Sequence, residues 1–156
     1  MTLTVVVVED NPETLRVFAR DLTPFADRLR IESTDCFEGA ATLLREIIED
    51  DDELALVLCE CQVAGESGVE YLVTLAEDER FDATKKVLVT GVTDLGDAIR
   101  AVNKAHLDHY VTKPWDPDEL WNTVTDLLTD YVLENDINPL PYMPCLDDER
   151  VMEIWR

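Results

Sequence analysis

The chain has 156 residues, of which 35 are acidic and 13 are basic, so its formal net charge is −22. This charge argues against direct binding to DNA or RNA, because contacts to phosphates require clustered Lys and Arg side chains. No apolar run reaches the roughly 18 residues that a membrane-spanning helix needs. The N-terminus shows no signal peptide, so we expect a cytoplasmic protein that folds as one domain plus a short extension.

The first strand and helix are signalled within the first 25 residues. Leu3–Val8 is an apolar run typical of a buried strand, and it ends at the acidic pair Glu9-Asp10. The following Asn11-Pro12 predicts a helix start, because Asn is a favoured N-cap and Pro is tolerated at the first helical position. Strand and helix signals alternate from here to residue 134.

Four more strands follow. Arg28–Thr34 alternates between apolar and polar residues, as a half-exposed edge strand does, whereas Leu54–Cys59 is wholly apolar and ends at Glu60. Lys86–Thr90 and His109–Thr112 are the fourth and fifth predicted strands. The intervening helices are marked by apolar residues at helical spacing: Leu15, Phe18, Ala19 and Leu22; Ala40, Leu44, Ile47 and Ile48; Val69, Leu72, Val73 and Ala76; Leu95, Ala98, Ile99 and Val102, with Asp94 as N-cap; and Leu120, Val124, Leu127, Leu128 and Tyr131, with a start at Asp116.

The alternation predicts an α/β fold, a flavodoxin-like (βα)5 doubly wound parallel sheet with strand order 2-1-3-4-5. In such sheets ligands bind at the carboxyl ends of the strands. Acidic residues end the first and third predicted strands, Thr90 ends the fourth, and Lys113-Pro114 follows the fifth. We therefore expect Glu9, Asp10, Glu60, Thr90 and Lys113 to meet at one edge of the sheet.

The alternation of strand and helix signals stops after Glu134. We predict one domain over residues 1–134, and a proline-containing linker with a short C-terminal helix or tail over residues 135–156. The helix is expected in Asp147–Arg156, with Val151, Ile154 and Trp155 on one face. Because so short a helix is marginal alone, it must dock on its own domain, dock on a partner, or fray.

These residues, together with Gly65 and Gly68, resemble the receiver domain of bacterial and archaeal response regulators over about residues 3 to 134. The resemblance implies that Glu60 stands where the family has the aspartate that accepts phosphate. It also implies that Asp10 binds Mg²⁺ directly, that Glu9 acts through water, and that Glu60 and the backbone carbonyl of Gln62 supply further oxygens. Thr90 and Lys113 would bind a phosphoryl group.

The resemblance also concerns signal output. Tyr110 matches the aromatic switch residue, which swings inward as Thr90 moves; the alternative is a half-buried aromatic of an edge strand. The Lys113-Pro114 bond is usually cis in the family, and Trp115 is expected to be a packing residue. Partners would be a sensor kinase or a downstream effector. A homodimer would use the face of the fourth helix, fifth strand and fifth helix.

The Asp-to-Glu difference moves the carboxylate outward by about 1.5 Å, one C–C bond. Positioning errors of that size cost on the order of 10²-fold in rate. Glu60 would reach toward Thr90 and Lys113 and imitate a phosphoryl group with one negative charge. We therefore predict a single-domain atypical receiver that acts in two-component (phosphorelay) signalling by protein contact, without phosphorylation and without enzymatic activity. The pocket would then sit partly in an active-like state.

Three alternatives stay open. The pocket is decayed, and Lys113 only pairs with the acids to hold the sheet end together. The chain is a conventional relay protein that accepts phosphate. Cys59 and Cys61, which lie on one side of a strand, form a small redox or metal module, although buried apolar thiols are the more ordinary interpretation. His106 and His109 are expected to be surface residues.

Overall fold

Five parallel strands form the central sheet of the computed structural model, which describes residues 1–91 and 95–155. They are β1 (Leu3–Val8), β2 (Arg30–Thr34), β3 (Glu53–Glu60), β4 (Lys85–Thr90) and β5 (His109–Thr112). Their order is β2-β1-β3-β4-β5, and every neighbouring pair is parallel. The prediction of a flavodoxin-like parallel sheet is confirmed.

The helices are α1 (Pro12–Asp21), α2 (Phe37–Glu49), α3 (Gly68–Glu77), α4 (Leu95–Lys104), α5 (Pro117–Glu134) and α6 (Asp148–Trp155). Asn11 caps α1, because its Oδ1 accepts hydrogen bonds from the backbone N–H groups of Glu13 and Thr14. Asp116 caps α5 in the same way. The predicted cap of α4, Asp94, lies outside the described residues. Within residues 1–91 and 95–155, no helix has the length and apolar character required to cross a membrane.

Helices cover both faces of the sheet, and the two faces have separate cores. Val5 and Val7 of β1 pack in the core that includes α1 and α5, whereas Val6 and Val8 pack in the core that includes α2, α3 and α4. This alternation follows from the two-residue period of a strand. The central strands β1 and β3 are buried over nearly their whole length, while β2 at the edge is half-exposed.

The apolar stripes predicted for the helices are only partly directed inward. In α4, Ile99 and Val102 are 64% and 52% exposed, while Ala101 and the following Ala105 are fully buried. The helix therefore approaches the sheet through small side chains and leaves larger apolar ones in solvent. Among the stripe residues whose side chains the structure describes, Ala19 and Ile48 are also exposed.

The residues after α5 lie against the chain's own core. A 3-10 helix, Leu140–Cys145, precedes α6. Tyr142, Cys145 and Leu146 are buried in the same core as β1, α1 and α5. The Tyr142 hydroxyl accepts a hydrogen bond from the backbone N–H of Leu3, at 3.3 Å. The start of β1 is thus held by a residue 139 positions away in the sequence.

Candidate functional site

Three of the predicted site residues converge at the carboxyl edge of the sheet. Glu9 follows β1, Glu60 ends β3 and Lys113 follows β5. Lys113 Nζ lies 2.6 Å from Glu60 Oε2 and 3.1 Å from Glu9 Oε2. Glu9 is almost fully buried, and the side chains of Glu60 and Lys113 are 13% and 28% exposed. One ammonium group therefore serves two carboxylates that water barely reaches.

The charges of this cluster shift the pKa of two of its members. Burial raises the pKa of Glu60, Lys113 opposes that rise, and the carboxylate of Glu9 adds to it. Burial alone would lower the pKa of Lys113, but the interactions with Glu60 and Glu9 outweigh it and raise the pKa. Within the described residues Glu60 Oε2 has no hydrogen-bond partner of good geometry, so its contact with Lys113 is chiefly an attraction of charges.

The second acidic residue of the pair after β1 has a different partner. Asp10 is exposed, and its Oδ2 accepts a hydrogen bond from the backbone N–H of Ala64 at 2.9 Å. Ala64 and Gly65 both have positive φ, 51° and 80°, and form the turn between β3 and α3. Asp10 thus ties this loop to the end of β1, a contact that the sequence did not indicate.

The start of α3 fixes the backbone of Glu60. Ser67 caps this helix, since its hydroxyl accepts a hydrogen bond from the backbone N–H of Glu70. Gly68 packs so closely that a Cβ there would lie 1.9 Å from the carbonyl oxygen of Glu60 and 3.0 Å from Cys59 Sγ. Only the family spacing pointed to Gly68; its steric role appears in the structure alone.

The side chains of Thr90 and Tyr110, the two predicted switch residues, contact other groups. The Thr90 side chain is buried, and its hydroxyl donates to the carbonyl of Gly91 at 3.0 Å. Tyr110 is 43% exposed, and its ring lies beside that of His109. The structure therefore shows Glu60 in contact with Lys113, and the aromatic ring of Tyr110 in an outward position.

The oxygen atoms at this edge have the right chemistry for a hard cation such as Mg²⁺. However, these side chains already have partners within the chain: Glu9 and Glu60 face Lys113, and Asp10 accepts a hydrogen bond from Ala64. Across the described parts of the chain, no group of three or more His, Cys, Asp or Glu side chains is placed to hold a metal ion. In this arrangement the single positive charge of Lys113 offsets part of the negative charge of the two carboxylates.

The two cysteines beside Glu60 are buried. Cys59 and Cys61 are 0% and 1% exposed. Burial, reinforced by the charge of Glu60, raises the pKa of the Cys59 thiol far above neutrality. Because the thiolate is the reactive and metal-binding form, this environment disfavours a redox or metal role.

The segment after β5 packs on α1. The Lys113-Pro114 peptide bond is cis, as the resemblance implied. The Trp115 indole N–H donates to Asp21 Oδ2 at 2.9 Å, and its ring lies 4.3 Å from that of Phe18. Trp115 is thus a packing residue, as predicted, and it fixes the loop that carries Lys113.

Comparison with known proteins gives independent evidence on the fold and the family. The family model described as "Response regulator receiver domain" matches residues 5–125. The hydrogenase transcriptional regulatory protein HoxA of Cupriavidus necator is 32% identical over 137 residues, which are 88% of this chain and 26% of HoxA. Response regulator Rre1 of Synechocystis is 28% identical over 129 residues, which are 81% of this chain and 52% of Rre1. The chain thus spans a quarter to a half of the length of these two relatives.

Solved structures show the same fold. The CheY-like receiver domain protein of Methanospirillum hungatei superposes with a TM-score of 0.69 at 22% identity, covering 86% of this chain and 99% of that one. The signal receiver domain of an HD domain-containing protein from Pseudomonas fluorescens gives 0.71 at 21% identity, covering 86% and 93%. Since the family model covers most of the chain and the sheet has the matching topology, this chain belongs to the response regulator receiver domain family.

Proposed function

We propose that this receiver signals by protein contact without depending on phosphorylation, because Glu60 occupies the position of the phosphate-accepting aspartate. The observation that carries the proposal is the 2.6 Å contact between Glu60 and Lys113. Lys113 is the residue that would otherwise hold a phosphoryl group, and here a carboxylate of the chain already engages it. No enzymatic activity is part of the proposal.

The longer side chain explains why phosphate would not be accepted. Glu60 places its carboxylate about 1.5 Å beyond that of an aspartate, in the space that an incoming phosphoryl group needs. The carboxylate carries one negative charge and imitates a phosphoryl group only in part. Because the Thr90 hydroxyl bonds Gly91, the imitation reaches Lys113 but not Thr90. We infer a partial mimic of the phosphorylated pocket.

Four oxygen-bearing groups of the pocket would hold Mg²⁺: Glu9, Asp10, Glu60 and the backbone carbonyl of Gln62. A bound Mg²⁺ would neutralise negative charge in the pocket. Lys113 meets part of the same need with its single ammonium group. We therefore expect the pocket to be stable without bound Mg²⁺.

The output surface that we propose is formed by α4, β5 and the start of α5. Ile99, Val102 and Tyr110 are large apolar residues exposed there. A cavity of about 340 Å³ lies between β5 and α5, lined in part by Tyr110, Glu119 and Leu120. Exposed apolar patches mark contact sites for proteins. A sensor kinase, a downstream effector or a second copy of the chain would bind at this face.

The first test is whether the pocket responds to a small-molecule phosphodonor. The ¹⁵N-labelled protein is titrated with acetyl phosphate in the presence of Mg²⁺, and the amide shifts of Thr90, Gly91 and Tyr110 are followed. We expect the shifts to match those with Mg²⁺ alone, because Glu60 already holds Lys113. Shifts that depend on the phosphodonor would contradict the proposal and favour a conventional relay protein.

A further inference from the structure

A cavity of about 520 Å³ lies between α2 and α3, on the face of the sheet that these two helices cover. We call it the α2–α3 groove. Its volume lies in the range of about 300–1,000 Å³ that small-molecule sites occupy. Its walls are mainly apolar, and the residues that matter below are Leu44, Arg45 and Ile48 of α2, Tyr71 and Leu75 of α3, and Phe81 just after α3.

The walls of this groove are fixed by the packing of the protein. Leu75 and Phe81 are 3% and 5% exposed and belong to the core beneath α2, α3 and α4. The ring of Tyr71 stacks on that of Phe37 with their centroids 4.7 Å apart, which ties the first turn of α3 to the start of α2. The groove is therefore a preformed concave surface, as small-molecule sites usually are.

Four charged residues also line the groove: Arg45, Glu49, Asp78 and Arg80. Arg80 is committed to Asp78, since its Nε and Nη2 donate to the two carboxylate oxygens at 3.0 and 2.7 Å. Arg45 is exposed, and within the described residues it forms no ion pair and donates only to the Thr42 hydroxyl, at 3.5 Å. In a chain with 35 acidic and 13 basic residues, the groove thus offers an uncommitted guanidinium beside apolar walls.

The exposed apolar surface of the groove suits a small molecule better than a protein. Ile48, 45% exposed, is its large apolar side chain at the surface, whereas Leu44 and Tyr71 are half-buried and Leu75 is buried. A stable protein interface buries about 800 Å² on each partner. A concave groove with one exposed large apolar side chain offers a protein partner little to cover.

We propose that the α2–α3 groove binds a small aliphatic carboxylate, whose hydrocarbon body lies against Leu44, Ile48 and Phe81 and whose carboxylate pairs with Arg45. The planar guanidinium group matches the geometry of a carboxylate. Glu49, one turn after Arg45, disfavours a second negative charge on the ligand, so a monocarboxylate is preferred over a dicarboxylate. The inference does not depend on the behaviour of Glu60.

Titration of the ¹⁵N-labelled full-length protein with octanoate, below its micelle concentration, tests the site. Saturable amide shifts are expected at Leu44, Arg45 and Ile48. The Arg45→Gln variant should bind octanoate about fivefold more weakly, the effect of losing one exposed charge pair. Arg16→Gln is the matched control, because Arg16 is exposed on α1, outside the groove, and its loss should leave the affinity unchanged.

Two further probes separate the apolar walls from the charge. Across butanoate, hexanoate and octanoate, the affinity should rise about threefold per added methylene, because each one is removed from water in the groove. Octylamine has the same hydrocarbon body with the opposite charge, so it should bind more weakly than octanoate.

Several results would overturn the proposal. They are the absence of saturable shifts with octanoate, equal affinity in the Arg45→Gln variant and the wild type, and tighter binding of octylamine, which would make Glu49 the controlling charge. Shifts in the groove that grow with protein concentration before octanoate is added would show that a second copy of the chain occupies it. Equal shifts at Ile99 on α4 would show that octanoate coats exposed apolar side chains in general.

Discussion

Replacing Lys113 with methionine should destabilise the protein by about 2–3 kcal/mol at neutral pH. Removing one partner of a buried ion pair leaves an uncompensated charge, and such losses reach about 3–5 kcal/mol when burial is complete. Lys113 is 28% exposed, which lowers the expected loss, but it serves both Glu9 and Glu60. Urea unfolding, monitored by tryptophan fluorescence, measures the change.

The stability that the Lys113→Met variant loses should depend on pH in a defined direction. Burial and Glu9 already raise the pKa of Glu60, and Lys113→Met removes the charge that opposes them. The folded state would then bind a proton at Glu60 more tightly than the unfolded state. Stability of the variant therefore falls as pH rises above the unfolded-state pKa of the glutamate and is regained as pH is lowered below neutrality.

The matched control for this variant is Lys85→Met, another lysine of the same sheet. Its nearer carboxylate, Glu134, is 60% exposed and the more distant one, Asp108, is 28% exposed, so water replaces the lost contacts and the cost should be small. Equal losses in the two variants, or a Lys113→Met loss that does not shrink at lower pH, would show that Lys113 does not neutralise the pocket.

Gly68→Ala is the second substitution with a large expected effect, about 3 kcal/mol of lost stability. The new methyl group would lie 1.9 Å from the carbonyl oxygen of Glu60, a backbone atom that cannot rotate away. Relief requires α3 or the end of β3 to shift, which also moves the carboxylate of Glu60 away from Lys113. Thermal or urea unfolding measures the cost, and the Glu60 amide shift reports the movement.

Gly96→Ala is the control for this substitution. Gly96 lies in α4, and a Cβ there would meet nothing within 4 Å. Alanine should therefore leave the stability unchanged or raise it by about 0.5 kcal/mol, because it reduces the freedom of the unfolded chain. If Gly68→Ala were as harmless as Gly96→Ala, the start of α3 would not fix the position of Glu60.

The parts of the fold that local patterns encode were predictable. The wholly apolar runs of β1 and β3 predicted central strands, and the Asn11-Pro12 pair predicted the start of α1, because caps and periodicity involve neighbouring residues only. The meeting of Glu60 with Lys113 followed from the parallel sheet, which brings the carboxyl ends of its strands to one edge. The predicted start of β2, Arg28, lies two residues before the observed start, Arg30. The reason is that the backbone N–H of Arg28 still donates to the carbonyl of Phe25 in a turn.

Other features depend on contacts between distant residues and were not predictable. The bond from Ala64 to Asp10 requires a left-handed loop whose position the spacing of residues does not encode. The outward position of Ile99 depends on how closely Ala101 lets α4 approach the sheet. The burial of Tyr142 beside Leu3 links the two ends of the chain, whereas the prolines around it had indicated only a linker.

The central claim is that Glu60 itself prevents phosphorylation of an otherwise preserved pocket. Its most direct test is the intact mass of the wild type and of the Glu60→Asp variant after incubation with Mg²⁺ and acetyl phosphate. We predict that only the variant gains the mass of one phosphoryl group, since aspartate restores the shorter acceptor beside Lys113. Phosphorylation of the wild type would contradict the claim, and an unmodified variant would show that the pocket has lost more than its aspartate.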